Sequence, residues 1–115
     1  MPLKNLAHLG DVVFELFERE YETVSAVSVE HLHKQVVARV NSHEQARLLT
    51  LLKPLLSEAE LDIVRRARNL KPGSFRRNVE QAVLRQATAF EALIGYLYLL
   101  DENRLQALLD KTRPD

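Results

Sequence analysis

The stretch VLRQATAFEALIGYLYLL, Val83 to Leu100, decides how the rest of the chain must be arranged. Its apolar residues Val83, Leu84, Ala87, Ala89, Phe90, Leu93, Ile94, Leu97, Tyr98 and Leu99 fall on every side of a helix, so the spacing predicts a helix buried all round. Other helices have to enclose it. Upstream, Pro72 and Gly73 disfavour a continuing helix, so Arg68 to Asn78 reads as a loop and the long helix begins near Asn78. Downstream, Asp101 can cap a short closing helix through Leu109, after which the polar tail Lys111 to Asp115 is expected to fray.

Toward the start of the chain, Leu6, Leu9, Val13, Leu16 and Phe17 recur at helical spacing and predict a first helix over Asn5 to Tyr21. A second helix is expected over Val29 to Asn41. Ser42 with Gln45, and Ser57 with Glu60, each fit a capping box, and Pro54 separates the two helices that these boxes begin. With only 3 Gly and 4 Pro, strands find almost no support, and neither a repeat nor a low-complexity segment is present. The expected class is all-α, a single domain over residues 1–115 with an ordered core from roughly 5 to 110.

Composition narrows the chemistry. Apolar residues at 46% and charged residues at 28% describe a water-soluble globular chain. The 16 basic and 16 acidic residues cancel, so attraction to a polyanion has to come from where charges sit. Absence of cysteine excludes a disulfide framework, a thiolate zinc site and a cysteine nucleophile, and is compatible with a reducing compartment. No apolar run approaches the roughly 18 residues of a membrane span, and residues 1 to 10 lack a leader pattern. The expected location is cytoplasmic, or an organellar stroma for a mature form, with no membrane partner and no organic cofactor.

Glu91 stands in the middle of the apolar helix, and its own stripe of Leu84, Ala87, Thr88, Ile94, Gly95 and Tyr98 holds no basic residue. A buried ionised carboxylate costs several kcal/mol without compensation, so Glu91 must be protonated, paired with an arginine from another helix, or bound to a metal. A second acid, Asp11, lies opposite the first helix's apolar stripe and shares its face with Glu15 and Glu18. The plain reading is a solvated acidic face. Against it, Gly10 costs about 1 kcal/mol inside a helix and hints at close approach by another backbone. Phe14, at the edge of that face, would expose much apolar area unless another subunit covered it. These features suggest an acidic cleft beside a dimer interface, where two carboxylates suffice to hold a hard cation such as Mg²⁺ near a phosphate.

The strongest local charge signal is basic. Arg65, Arg66, Arg68, Lys71, Arg76 and Arg77 give six positive charges in a stretch without an acid, with Asn69 among them and Gly73 for backbone freedom. Such a loop suits phosphate contacts, although Glu58, Glu60 and Asp62 could also counter it as an ordinary solvated surface. His31 and His33, two residues apart, face different ways on a helix, and neither they nor His8 and His43 suggest a shared metal site. No serine sits in a nucleophile elbow and no glycine-rich phosphate loop occurs. Tyr96 and Tyr98 read as core or interface residues.

Leu9-Gly10-Asp11-Val12-Val13 resembles the heart of the ribonuclease III signature helix, and Ala89 to Leu99, AFEALIGYLYL, is very similar to the family segment that carries its metal-binding glutamate. Glu15, Leu32-His33-Lys34 and the run Arg65 to Gly73 resemble the mini-ribonuclease III branch. The resemblance implies a homodimer of helical endonuclease domains without a separate double-stranded RNA-binding domain. By that resemblance Asp11 and Glu91 hold Mg²⁺, or Mn²⁺ in its place, and are the catalytic residues. Double-stranded RNA, in particular the stem of precursor 23S ribosomal RNA, is the implied substrate, cut to 5′-phosphate and 3′-hydroxyl ends. The implied RNA-binding residues are Arg65, Arg66, Arg68, Asn69, Lys71, Arg76 and Arg77. The full-length family carries acids at the positions of Lys4, Ala7 and Thr88, and this chain does not. Thr88 would then at most orient a bound water, and Glu15 is the candidate for an extra acidic contribution. Two other classes stay open: a catalytically inactive helical dimer that binds structured RNA or a ribosome-assembly partner, and an interaction domain with no nucleic acid partner.

Overall fold

The regular structure is helical throughout the residues described by this computed structural model, 1–70 and 80–113. The helices are α1 (Leu3–Thr23), α2 (Val29–Val40), α3 (Ser42–Leu52), α4 (Glu58–Arg68), α5 (Gln81–Leu100) and α6 (Glu102–Lys111), with one 3-10 turn, Lys53–Leu55, between α3 and α4. The all-α expectation is met. Pro72 and Gly73, and the helix start expected at Asn78, lie outside the described residues.

Helix α5 occupies the centre, with α1, α3 and α4 packed on it and α6 folded back from its end. Ala87, Ala89, Phe90, Ala92, Leu93, Ile94, Gly95 and Leu97 are its buried residues. Burial all round holds only for that middle portion, because Tyr98, Leu99 and Leu100 are exposed. Leu48, Leu49 and Leu52 from α3, Ile63 and Val64 from α4, and Leu105, Leu108 and Leu109 from α6 complete the core. Each fully buried leucine contributes about 1.5–3 kcal/mol of transfer free energy.

The buried line of α1 is turned relative to the expected stripe. Leu6, Ala7, Gly10, Phe14 and Glu18 face inward, while Leu16 is 55% and Val12 60% exposed. The reason lies in two glycines. A Cβ on Gly10 would stand 1.7 Å from the Glu91 carbonyl oxygen, and one on Gly95 would stand 2.0 Å from the Leu6 carbonyl oxygen. Here α1 and α5 touch backbone to backbone, and only residues without a side chain permit it. Phe14 follows Gly10 by one turn and meets Phe90 edge to face, with ring centroids 5.0 Å apart and planes at 85°. It is fully buried within one chain. The expectation that a second subunit must cover Phe14 is therefore overturned.

Glu18 is also corrected. Far from lying on a solvated face, it is fully buried, with Arg113 Nη1 2.7 Å and Arg39 Nε 3.5 Å from its carboxylate. Arg39 continues to Glu44 at 3.2 Å and to the Thr112 carbonyl at 2.8 Å. The Arg113 guanidinium lies 3.5 Å over the Tyr21 ring and 4.6 Å from the Phe17 ring centroid. The tail expected to fray from Lys111 is instead held as far as Arg113 by this buried charge cluster.

Helix starts follow local chemistry. Ser57 and Glu60 form the expected capping box, each accepting from the other's backbone N–H, and Asp101 caps α6. The box expected at Ser42 is displaced by one residue: Asn41 caps α3 through the Glu44 N–H at 2.9 Å. Its amide also donates to the Val37 and Ala38 carbonyls, both at 3.1 Å. An amide side chain has donor and acceptor together, so one residue ends α2 and begins α3, which a serine hydroxyl does less well.

Candidate metal centre and basic surface

The glycine crossing is what positions the two acids. Asp11 follows Gly10 directly on α1, and the Gly10 backbone rests against the main chain of Glu91 on α5. Gly10 and Glu91, far apart in sequence, thus meet main chain to main chain at one helix junction, with Asp11 the next residue on α1. Asp11 is exposed, and Glu91 is partly buried on a line with Leu84 and Thr88, which are partly buried too. Full burial of Glu91, expected from the apolar helix, is not found. A carboxylate that water still reaches needs less compensation, so desolvation alone does not require a cation at Glu91.

Glu15, one turn after Asp11, is exposed and pairs with Arg19 at 3.3 Å. Glu18 belongs to the buried cluster, so Asp11 and Glu15 are what remain of the acidic face at the surface. Among the described residues no three or more histidine or carboxylate side chains form a group able to hold a metal. The donor set to be tested is therefore two hard oxygen ligands, one of them open to solvent. Mg²⁺ and Mn²⁺ accept such a set, because Mg²⁺ usually binds one or two carboxylates and completes its octahedron with water and phosphate oxygens. His31 is used otherwise: its Nδ1 accepts from the Val27 N–H at 3.3 Å.

The described part of the basic stretch lies at the end of α4. Arg65 and Arg66 are exposed, and both reach the one acid Asp62, Arg65 by a short ion pair and Arg66 at 3.7 Å. The stretch is thus partly countered by an acid one turn back. Arg68 is partly buried, and Asn69 caps the helix with its N–H directed at the Arg65 and Ala67 carbonyls. Lys71, Arg76 and Arg77 lie outside the described residues. Glu60 is taken up elsewhere, in a two-pronged pair with Arg104 at 2.9 Å and 2.9 Å. The Arg104 guanidinium holds the Glu60 carboxyl below its usual range, against the opposing effect of burial.

Sequence reasoning overlooked Arg85. Its Nη1 donates to the Arg68 carbonyl at 3.2 Å and the Leu70 carbonyl at 3.1 Å, joining α5 to the end of α4. The available signal was its isolation, since Arg85 is the sole basic residue of α5.

Comparison with known proteins agrees with this architecture. Residues 4–102 match the model of the ribonuclease III domain. Mini-ribonuclease 3 from a Synechococcus species is 44% identical over 92% of this chain and 76% of its own length. Mini-ribonuclease 3 from Gloeobacter violaceus is 43% identical over 95% of this chain and 80% of its own. A crystal structure of a protein from Fusobacterium nucleatum superimposes with a TM-score of 0.86 at 33% identity, covering 94% of this chain and 88% of that one. Fold, motif order and relatives converge: the chain belongs to the ribonuclease III family, in its mini-ribonuclease III branch.

Proposed function

We propose that this chain is a metal-dependent endoribonuclease that hydrolyses phosphodiesters of double-stranded RNA, acting as a homodimer in the maturation of 23S ribosomal RNA precursor. The observation that supports it most is the crossing at Gly10, the residue before Asp11, whose backbone rests against the main chain of Glu91. In this reading the two carboxylates hold Mg²⁺, or Mn²⁺ in its place. When bound, such an ion supplies water activation at neutral pH and charge neutralisation at the phosphate. Asp11, exposed at the junction, faces the solvent from which substrate arrives, and Glu91 fixes the other side of the site from within α5. The Thr88 hydroxyl, one turn before Glu91, orients a water, and Glu15 adds negative potential nearby. Arg65, Arg66, Arg68, Asn69, Lys71, Arg76 and Arg77 contact phosphates and 2′-hydroxyls, the features by which A-form duplexes are recognised. Products carry 5′-phosphate and 3′-hydroxyl ends. The exposed Val12 and Leu16 supply apolar area that a second copy would cover.

A labelled RNA duplex incubated with the protein and Mg²⁺, or with EDTA, tests this directly. Glu91→Gln keeps the shape and removes the charge, so cleavage should be lost with folding and RNA binding retained. Duplex left intact by the unaltered protein with Mg²⁺ would leave only the binding role.

A further inference from the structure

Helix ends carry carbonyls with no partner inside the helix, and α4 ends where its exposed arginines stand. Arg85 reaches across from α5 and donates to the carbonyl of Arg68, the last residue of α4, at 3.2 Å and to that of Leu70, two residues beyond, at 3.1 Å. A guanidinium is suited to this, because the two N–H groups of Nη1 serve two acceptors at once and its charge complements the negative end of the helix dipole. Arg85 also precedes Glu91 by six residues on the same helix, about 9 Å of rigid rod. One side chain therefore ties the end of the arginine-bearing helix to the helix that carries a candidate catalytic acid.

We infer that Arg85 is a positioning residue for RNA: it contacts no phosphate itself but holds the end of α4, with Arg65, Arg66 and Arg68, against α5, so that these arginines can engage a duplex together with the rest of the site. The inference rests on the proposed phosphate-binding role of α4. Without the clamp, the last turn of α4 keeps only the Asn69 and Leu70 N–H bonds to its own carbonyls, and its tie to α5 is left to the apolar packing of Ile63, Val64 and Ala67. The loss falls on binding, not on chemistry.

Steady-state cleavage of an RNA duplex by the Mg²⁺-loaded protein separates the cases. Arg85→Met should raise KM about tenfold with kcat within about twofold, the signature of lost uniform binding. Arg85→Lys, which retains the charge but not the planar guanidinium, should recover part of the KM and also serves if the methionine variant does not fold. The joint variant Arg65→Ala/Arg66→Ala should raise KM by itself, and adding Arg85→Met to it should then raise KM little further, because coupled residues are not additive. Full additivity would mean that Arg85 meets RNA directly and would overturn the inference. So would an unchanged KM in Arg85→Met while Arg65→Ala/Arg66→Ala raises it. If neither change moves KM, the phosphate-binding role of α4 falls, and the inference with it.

Discussion

Gly10 and Gly95 determine more of this molecule than any of its large side chains. In an isolated helix Gly10→Ala would stabilise by about 1 kcal/mol, because alanine loses less backbone entropy on folding. Here the added methyl would meet the Glu91 carbonyl oxygen at 1.7 Å, and a main-chain atom cannot rotate away. The steric cost should win: we expect a net loss of about 2 kcal/mol or more in denaturant unfolding, at the upper part of overpacking penalties. A Gly10→Ala protein of equal or higher stability would contradict the crossing. The glycine's unusual place in a helix was legible in the sequence, as was Asp11 beside it. Glu18 was not, because its partners Arg39 and Arg113 lie 21 and 95 positions away and no periodicity brings them together. Phe14 was misjudged for a related reason, since its partner Phe90 comes from the far end of the chain.

At the level of helices, start signals were well read wherever the capping group is local. Ser57 with Glu60, and Asp101, stand where the sequence places them, whereas Asn41 was missed because it serves two helices at once. The Glu60 carboxylate does more than cap α4. It also receives Arg104 of α6, so α4 and α6 are joined through one acid. Its folded-state pKa is lowered, chiefly by the Arg104 hydrogen bonds. A lowered carboxylate pKa contributes stability that is present above the unfolded value and lost as pH falls through the folded one. Unfolding free energy should therefore decline as the solution is acidified below about pH 5, and Glu60→Gln should flatten that part of the profile while lowering stability at pH 7. Parallel profiles for the two proteins would remove Glu60 from the acid response.

For the whole molecule, the apolar residues of α1 divide into two sets. One set lines the core, and Val12 and Leu16 remain on the outside although the spacing of Leu9, Val13 and Leu16 reads as an inward stripe. The sequence could not show which set goes inward, because the choice is made by the glycine junction and not by hydrophobicity. Under the homodimer proposal the outer set is the contact between copies. Leu16→Glu should then yield a monomer in sedimentation with unchanged helix content, whereas a variant that remains dimeric would move the contact elsewhere. The meeting of α1 with α5 has a last consequence. Its spacing is set by the radii of carbonyl and amide atoms, so exchange of leucine for isoleucine or methionine elsewhere in the interior leaves it unaltered. The chain can accumulate such replacements, or be redesigned around them, and still keep the main chains of Gly10 and Glu91 in contact.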